Sequence, residues 1–167
     1  MLKNSFLRPL LFAFFCGNIL FSQGTDELFI GDGNVFYVVG DSESLEKVNI
    51  SALTIESKTK LRLRKNGIYY GAEDDSNAVA FLGVSLVMFE NEYVDGKMTG
   101  NHVFALTIDF FQFVQIAETE HYTVASVWDK MYLGFSPDMR GAREVIFEKI
   151  EDYVDIFSVE FIEDNTF

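Results

Sequence analysis

Cysteine, proline, histidine and tryptophan are all scarce in this chain, and each scarcity narrows the chemistry open to it. The one cysteine is Cys16. Beyond it there is no disulfide, no thiolate ligand for a metal and no cysteine nucleophile. A domain without such staples must rely on its hydrophobic core, and residues 24–167 are enough for one domain with a core of its own. The two histidines, His102 and His121, fall short of a histidine zinc site. Glu118 and Glu120 lie close to His121, but strand alternation sets them on the opposite face, so they read as exposed edge residues rather than ligands. The nearest approach to a nucleophile elbow, Gly83-Val84-Ser85-Leu86-Val87, lacks the second glycine, and Ser85 reads as a strand residue. No catalytic residue, metal or cofactor is assigned, and a non-enzymatic role is the expectation.

Positive charge is scarce too. The chain has 13 Lys and Arg against 26 Asp and Glu, a formal charge of −13. Lys3 and Arg8 are the only basic residues before position 24, and every acid follows it, so the remainder carries 11 cations and a formal charge of −15. Such a field repels nucleic acid and anionic lipid, and excludes nucleic acid as a partner.

The positive residues at the N-terminus belong to a recognisable pattern. Lys3 and Arg8 precede a run from Leu10 to Phe21 that is apolar except at Gly17 and Asn18. It has the length of a secretory signal and is shorter than the roughly 20 residues of a membrane span. Residues 1–23 are therefore expected to be a signal peptide and residues 24–167 a single exported domain, periplasmic or extracellular, without an integral membrane span. No small-x-small cleavage site follows the apolar run, so an uncleaved N-terminal anchor is the alternative. An exported domain without cysteines fits a bacterial envelope better than a disulfide-rich animal secretion.

The rest of the chain is patterned mainly with period two. Val35 to Val39 reads as a buried strand between turns, and Ala78 to Phe89 as a long strand covered on both faces. His102 to Phe113 follows, with a bulge expected at Phe110-Phe111. Tyr122, Val124, Ser126 and Trp128 share one strand face, and Met131 to Phe135 forms a further strand. Asp41 to Val48 suits a short helical turn, and Asp95 to Asn101 a loop. The period changes at the C-terminus. Ser136-Pro137 resembles a helix start, and Phe147, Ile150, Val154, Phe157 and Phe161 recur at helical spacing. The fold expected is mainly β, an antiparallel sandwich or barrel with a C-terminal helix, with an α+β layer fold as the alternative.

One segment runs against the charge of the whole. Residues 58–67, KTKLRLRKNG, gather Lys58, Lys60, Arg62, Arg64 and Lys65. Alternation places Leu61 and Leu63 inward and the cations outward on a strand, and Asn66-Gly67 is the strongest short hairpin signal, with Ile68 to Tyr70 returning. The outward face of Lys58, Lys60, Arg62 and Arg64 is the candidate binding surface, for an anionic glycan or protein partner. The simpler account is a solvated edge whose charge is offset by the acidic face from Glu144 to Asp155 of the C-terminal helix, or by Asp74-Asp75.

Two further features bear on function. Asp109 sits in the apolar run FALTIDFFQF, where it is expected to point to solvent with Thr107 or to pair with Arg62 or Arg64. The acidic loop 72–78 and the GDGN turn at Asp32 and Asn34 lack calcium-loop spacing and read as turns. Together these point to an exported, non-catalytic binding or structural domain of a bacterial envelope, for which self-association remains open. A β-barrel carrier of a hydrophobic small molecule is one alternative, suggested by the 13 phenylalanines after position 23. An acid–base hydrolase using carboxylates near Asp109 is the other.

Overall fold

The computed structural model describes residues 28–31, 33–41, 50–92, 98–116 and 121–165. The chain order is β1 (Val35–Asp41), α1 (Ala52–Lys65), β2 (Ala78–Glu92), β3 (Met98–Gln115), β4 (Tyr122–Ser136) and α2 (Met139–Asn165). The strands form one mixed sheet in the order β1-β2-β3-β4. β1 runs parallel to β2, and β2, β3 and β4 are antiparallel neighbours. A parallel pair needs a crossover connection, which α1 supplies. Both helices pack on the same face of the sheet, α1 on β1 and α2 on β3 and β4. The sheet is not closed. The α+β layer arrangement is therefore the one the chain adopts, with the expected C-terminal helix, and neither a barrel nor a second sheet is formed among the described residues.

The largest correction concerns the basic segment, which is helical. Ser51 caps α1 by accepting a hydrogen bond on its Oγ from the Thr54 amide at 3.1 Å. Ile55, Thr59 and Leu63, four apart, form the buried stripe, while Leu61 is 65% exposed. Asn66-Gly67 ends the helix instead of turning a hairpin. Gly67 takes φ +81°, its amide bonds to the Arg64 carbonyl at 3.1 Å, and the Ile68 amide reaches back to Leu63 at 2.9 Å. This is the Schellman closure, completed by the burial of Ile68 with Leu63. Leu53 and Ile55 thus belong to a helix and not a strand, and Ile68 to Tyr70 form no return strand.

The core lies between the sheet and the helices. Ala80, Leu82, Val84 and Leu86 of β2, and Phe104, Leu106, Ile108 and Phe110 of β3, meet Ile146, Ile150, Val154 and Phe157 of α2. Phe157 is the hub, with ring centroids of Phe36, Phe110, Trp128 and Phe161 at 5.8, 5.2, 5.3 and 5.4 Å. α2 starts at Met139 with Asp138 as its cap, the Gly141 amide donating to Asp138 Oδ1 at 2.7 Å, so Pro137 precedes the cap instead of occupying the first turn. It continues through 157–162 without a break. Its far end holds the start of the described chain. The Leu28 amide donates to Asp164 at 3.0 Å, and Asn165 Nδ2 donates to the Leu28 carbonyl at 3.0 Å.

The bulge occurs where the sequence suggests, but the additional residue is in β4. Phe110 pairs with Trp128 and Phe111 with Ser126, leaving Val127 over. Trp128 is thereby turned to the helix side, away from the face of Ser126, Val124 and Tyr122. Met131 to Phe135 continues β4 rather than forming a separate strand. Met98 to Asn101 opens β3, where a loop was expected. The expectations for residues 1–23, for 42–48, for Asp32 and for Glu118 and Glu120 lie outside the described residues.

Candidate docking face

α1 gathers the four cations of the predicted ligand face, and each meets a group of the protein itself. Lys58 Nζ lies 5.1 Å from the Phe147 ring centroid, and Arg64 lies 5.3 Å from that of Tyr70. Lys60 pairs with Glu56 one turn earlier. Arg62 crosses to α2, donating from Nε to Asp155 Oδ1 at 2.6 Å and from Nη1 to Glu151 Oε2 at 3.1 Å. The acidic face of the C-terminal helix thus offsets this charge, at Glu151 and Asp155. The hydrogen bond from Arg62 holds the Asp155 carboxyl below its ordinary range, and a second bond from Asn66 Nδ2 at 2.8 Å helps.

The acidic loop closes as turns. The Asn77 amide donates to Asp75 Oδ1 at 2.9 Å, and the Ala78 amide to the Asp75 carbonyl at 3.0 Å. His102 is buried opposite Ser136, while His121 is exposed beyond the start of β4. No group of three or more potential metal ligands occurs among the described residues. No helix among them is long and apolar enough to cross a membrane.

The opposite side of the sheet carries the unexpected feature. β2 is central yet covered by helices on one face only. On the other face an aromatic ladder crosses the strands. Tyr37 stacks on Phe81 at 5.5 Å, and Phe81 on Phe111 at 4.7 Å, with Phe113 at 6.2 Å. Gly83 leaves room for this ladder, since a Cβ there would meet the Phe111 ring at 3.3 Å. Toward the free edge, Val103 pairs with Phe135, Ala105 with Leu133 and Thr107 with Met131. Met131, Leu133 and Phe135 are 60%, 70% and 61% exposed.

No protein-family model matches this chain, and no curated protein does. Among solved structures it is similar to the rare lipoprotein B from Shewanella oneidensis. The identity is 17%, the match covers 73% of this chain and 89% of that one, and the TM-score is 0.29. A likeness at that level carries no functional weight.

The centre of the apolar face holds two acids. Asp109 lies opposite Asp129 in the register of β3 and β4. Directly opposed residues on one sheet face are close neighbours, with Cβ atoms about 5 Å apart. Burial, reinforced by the Asp129 charge, pushes Asp109 up to about 6. Asp109 shares its face with Thr107, but it is half-buried there and does not point freely to solvent. It does not pair with Arg62 or Arg64, which lie in the helix layer on the other side of the sheet. Phe104, Phe110 and Trp128 are packed in the core rather than lining a void as a carrier would require, and Phe113 is exposed on the open face. Sequence periodicity marked these side chains as apolar faces; it held no signal for which face would be covered.

Proposed function

We propose that this chain is an exported, non-catalytic binding module of a bacterial envelope, periplasmic or extracellular, working by docking a partner on the open face of its sheet. The observation that carries this reading is the cluster of Met131, Leu133 and Phe135 on the edge strand β4 with Val103 beside them on β3, large apolar side chains exposed side by side. Contiguous apolar patches of this kind mark interaction surfaces on soluble proteins. The N-terminal pattern of residues 1–23 and the cysteine-free remainder support export. A barrel carrier needs a closed sheet, and this sheet is open. The Asp109–Asp129 pair is the one arrangement that favours the hydrolase alternative, but it lies on an open strand face with Asp129 exposed, and not in a cleft that would enclose a substrate.

The test uses the native host. Mature protein from an envelope fraction should begin near residue 24, or at Met1 if the N-terminus anchors it. A photo-crosslinking amino acid at Leu133 should give a discrete adduct that the same group at Leu53, on the outer side of α1, does not. Protein confined to the cytosol, or equal crosslinking from both positions, would remove the reading. The basic face of α1 is the competing site, and Arg64→Glu tests it, since Arg64 carries none of the α1–α2 ion pairs. Loss of the partner in that variant, with crosslinking from Leu133 unaffected, would move the site to the helix.

A further inference from the structure

The open face has a pattern that specifies what fits it. Along β3 and β4 it reads apolar at Val103–Phe135, Ala105–Leu133 and Thr107–Met131, acidic at Asp109–Asp129, and apolar again at Phe113–Val124. Exposure is greatest on β4 itself, an edge strand with no strand on its outer side among the described residues. Apart from the Met131 carbonyl, which accepts from the Tyr153 hydroxyl at 3.2 Å, an edge of this length presents backbone donors and acceptors to an extended chain that can match its side-chain pattern. Among the described residues, the open-face positions of the four strands include no lysine or arginine. Lys130 points to the helix side, where its Nζ lies 5.4 Å from the Trp128 ring. The carboxylates therefore sit in an apolar surface with no cation of their own on that face.

We propose that the sheet is completed by an extended segment of another protein, which pairs with the edge of β4 and sets a lysine or arginine against Asp129 and Asp109, with apolar side chains on either side of that cation. The inference rests on the open face being the docking surface, and adds the chemistry of the partner. Charge complementarity selects this occupant. A second copy fits poorly, because β4 spans Tyr122 to Ser136 and Asp129 is its midpoint. Full antiparallel pairing of two β4 strands would set Asp129 directly against its own counterpart, and like charges directly opposed destabilise a sheet. The formal charge of −13 adds long-range repulsion between copies. An anionic lipid surface is disfavoured by the same two carboxylates.

The experiment uses purified protein and two fluorescein-labelled nine-residue peptides of alternating valine and threonine, one with a central arginine and one with a central glutamate. Fluorescence anisotropy at pH 7.5 should show the arginine peptide binding roughly tenfold or more tightly, as expected for exchanging an opposed charge for a like one beside two carboxylates. Its addition should slow hydrogen exchange of β4 amides and leave β1 unchanged. D129N, at an exposed position and close in shape, should remove the larger part of the preference, and D109N, half-buried beside it, the smaller part. Equal binding of both peptides with β4 protected would overturn the cation requirement while leaving the docking face intact. Failure of both peptides to bind, with the Leu133 crosslink still formed in cells, would overturn strand addition and leave the proposed function standing. Failure of both peptides together with loss of that crosslink would remove both. A stable dimer at 0.15 M salt whose β4 amides are already protected would replace the foreign partner with a second copy.

Discussion

Thr59 shows how a single residue can be read in two ways. It occupies the middle of the Ile55–Thr59–Leu63 stripe and is buried, yet its Oγ1 has no hydrogen-bond partner. A buried hydroxyl left without a bond costs about 1–3 kcal/mol. Thr59→Val keeps the branched shape and removes the stranded group, so it should raise stability by roughly 1 kcal/mol, read as a higher urea midpoint with an unchanged slope. Thr59→Ser, which keeps the hydroxyl and loses a methyl, should lower it; a loss in the valine variant would show that the hydroxyl is bonded. Asp109 supplies the pH counterpart. Its native carboxyl titrates near 6 against an ordinary 3.8, so between these values the native state binds the extra proton. Stability therefore falls as pH rises through that window, and the ionised group is a burden above it. The shift alone corresponds to about 3 kcal/mol, and solvent screening of a half-exposed carboxyl reduces it, so Asp109→Asn should stabilise at pH 7.5 by roughly 1–2 kcal/mol, with the gain closing toward pH 4. Asp129→Asn should recover a smaller part, because burial is the larger cause and the neighbouring charge the lesser. Urea melts at pH 4, 5.5 and 7.5 decide this, and a gain that is the same at all three would contradict it. The salt-bridged Asp155 works with the opposite sign, its lowered value adding stability above the ordinary carboxylate range that is lost as acid protonates it.

At the scale of elements, α1 shows where local reading reaches its limit. The need for positive φ at Gly67 was legible in Asn66-Gly67, but a hairpin turn and a Schellman cap use the same backbone state. What separates them is the period of the residues before it. Leu61 and Leu63 amid cations imitate alternation, whereas the helical stripe depends on Thr59, a polar residue that does not announce itself as core. α2 was legible because Ile150, Val154, Phe157 and Phe161 keep a regular spacing with acids on the other faces. The bulge was legible as a place but not as a strand, since the additional residue, Val127, is recognised only once the register with β3 is known. The open face was not legible at all. Tyr37, Phe81, Phe111 and Phe113 are patterned as any buried strand face would be, and nothing local to the sequence says that both helices cover the opposite side. Gly67→Ala tests the cap assignment. Open space surrounds the position, so a methyl meets no obstacle and the cost is that of the left-handed backbone alone. It should destabilise by about 1 kcal/mol. Gly67→Asn, which tolerates this conformation better, should cost less, and equal losses would place the strain elsewhere.

For the molecule as a whole, two properties oppose each other: a strongly acidic charge and a sheet left apolar on its uncovered side. The formal charge of −13 repels a second copy over the Debye length, about 8 Å at physiological ionic strength and about 3 Å at 1 M salt. The apolar residues Met131, Leu133 and Phe135 attract at contact only, and salt does not screen that attraction. Raising salt should therefore turn a monomer into a weakly associating species through β4, as the long-range term is removed and the short-range one is left. The three side chains are exposed, so they contribute little to the folded state, and replacing all three by threonine keeps strand propensity. The triple variant M131T, L133T and F135T should keep the melting temperature of the parent within a few degrees and lose the salt-dependent rise in sedimentation mass. If the variant unfolds, these residues belong to the core despite their exposure. If it associates as the parent does, the attraction lies on another surface, with Leu53 and Leu61 on the outer side of α1 the next apolar pair to replace.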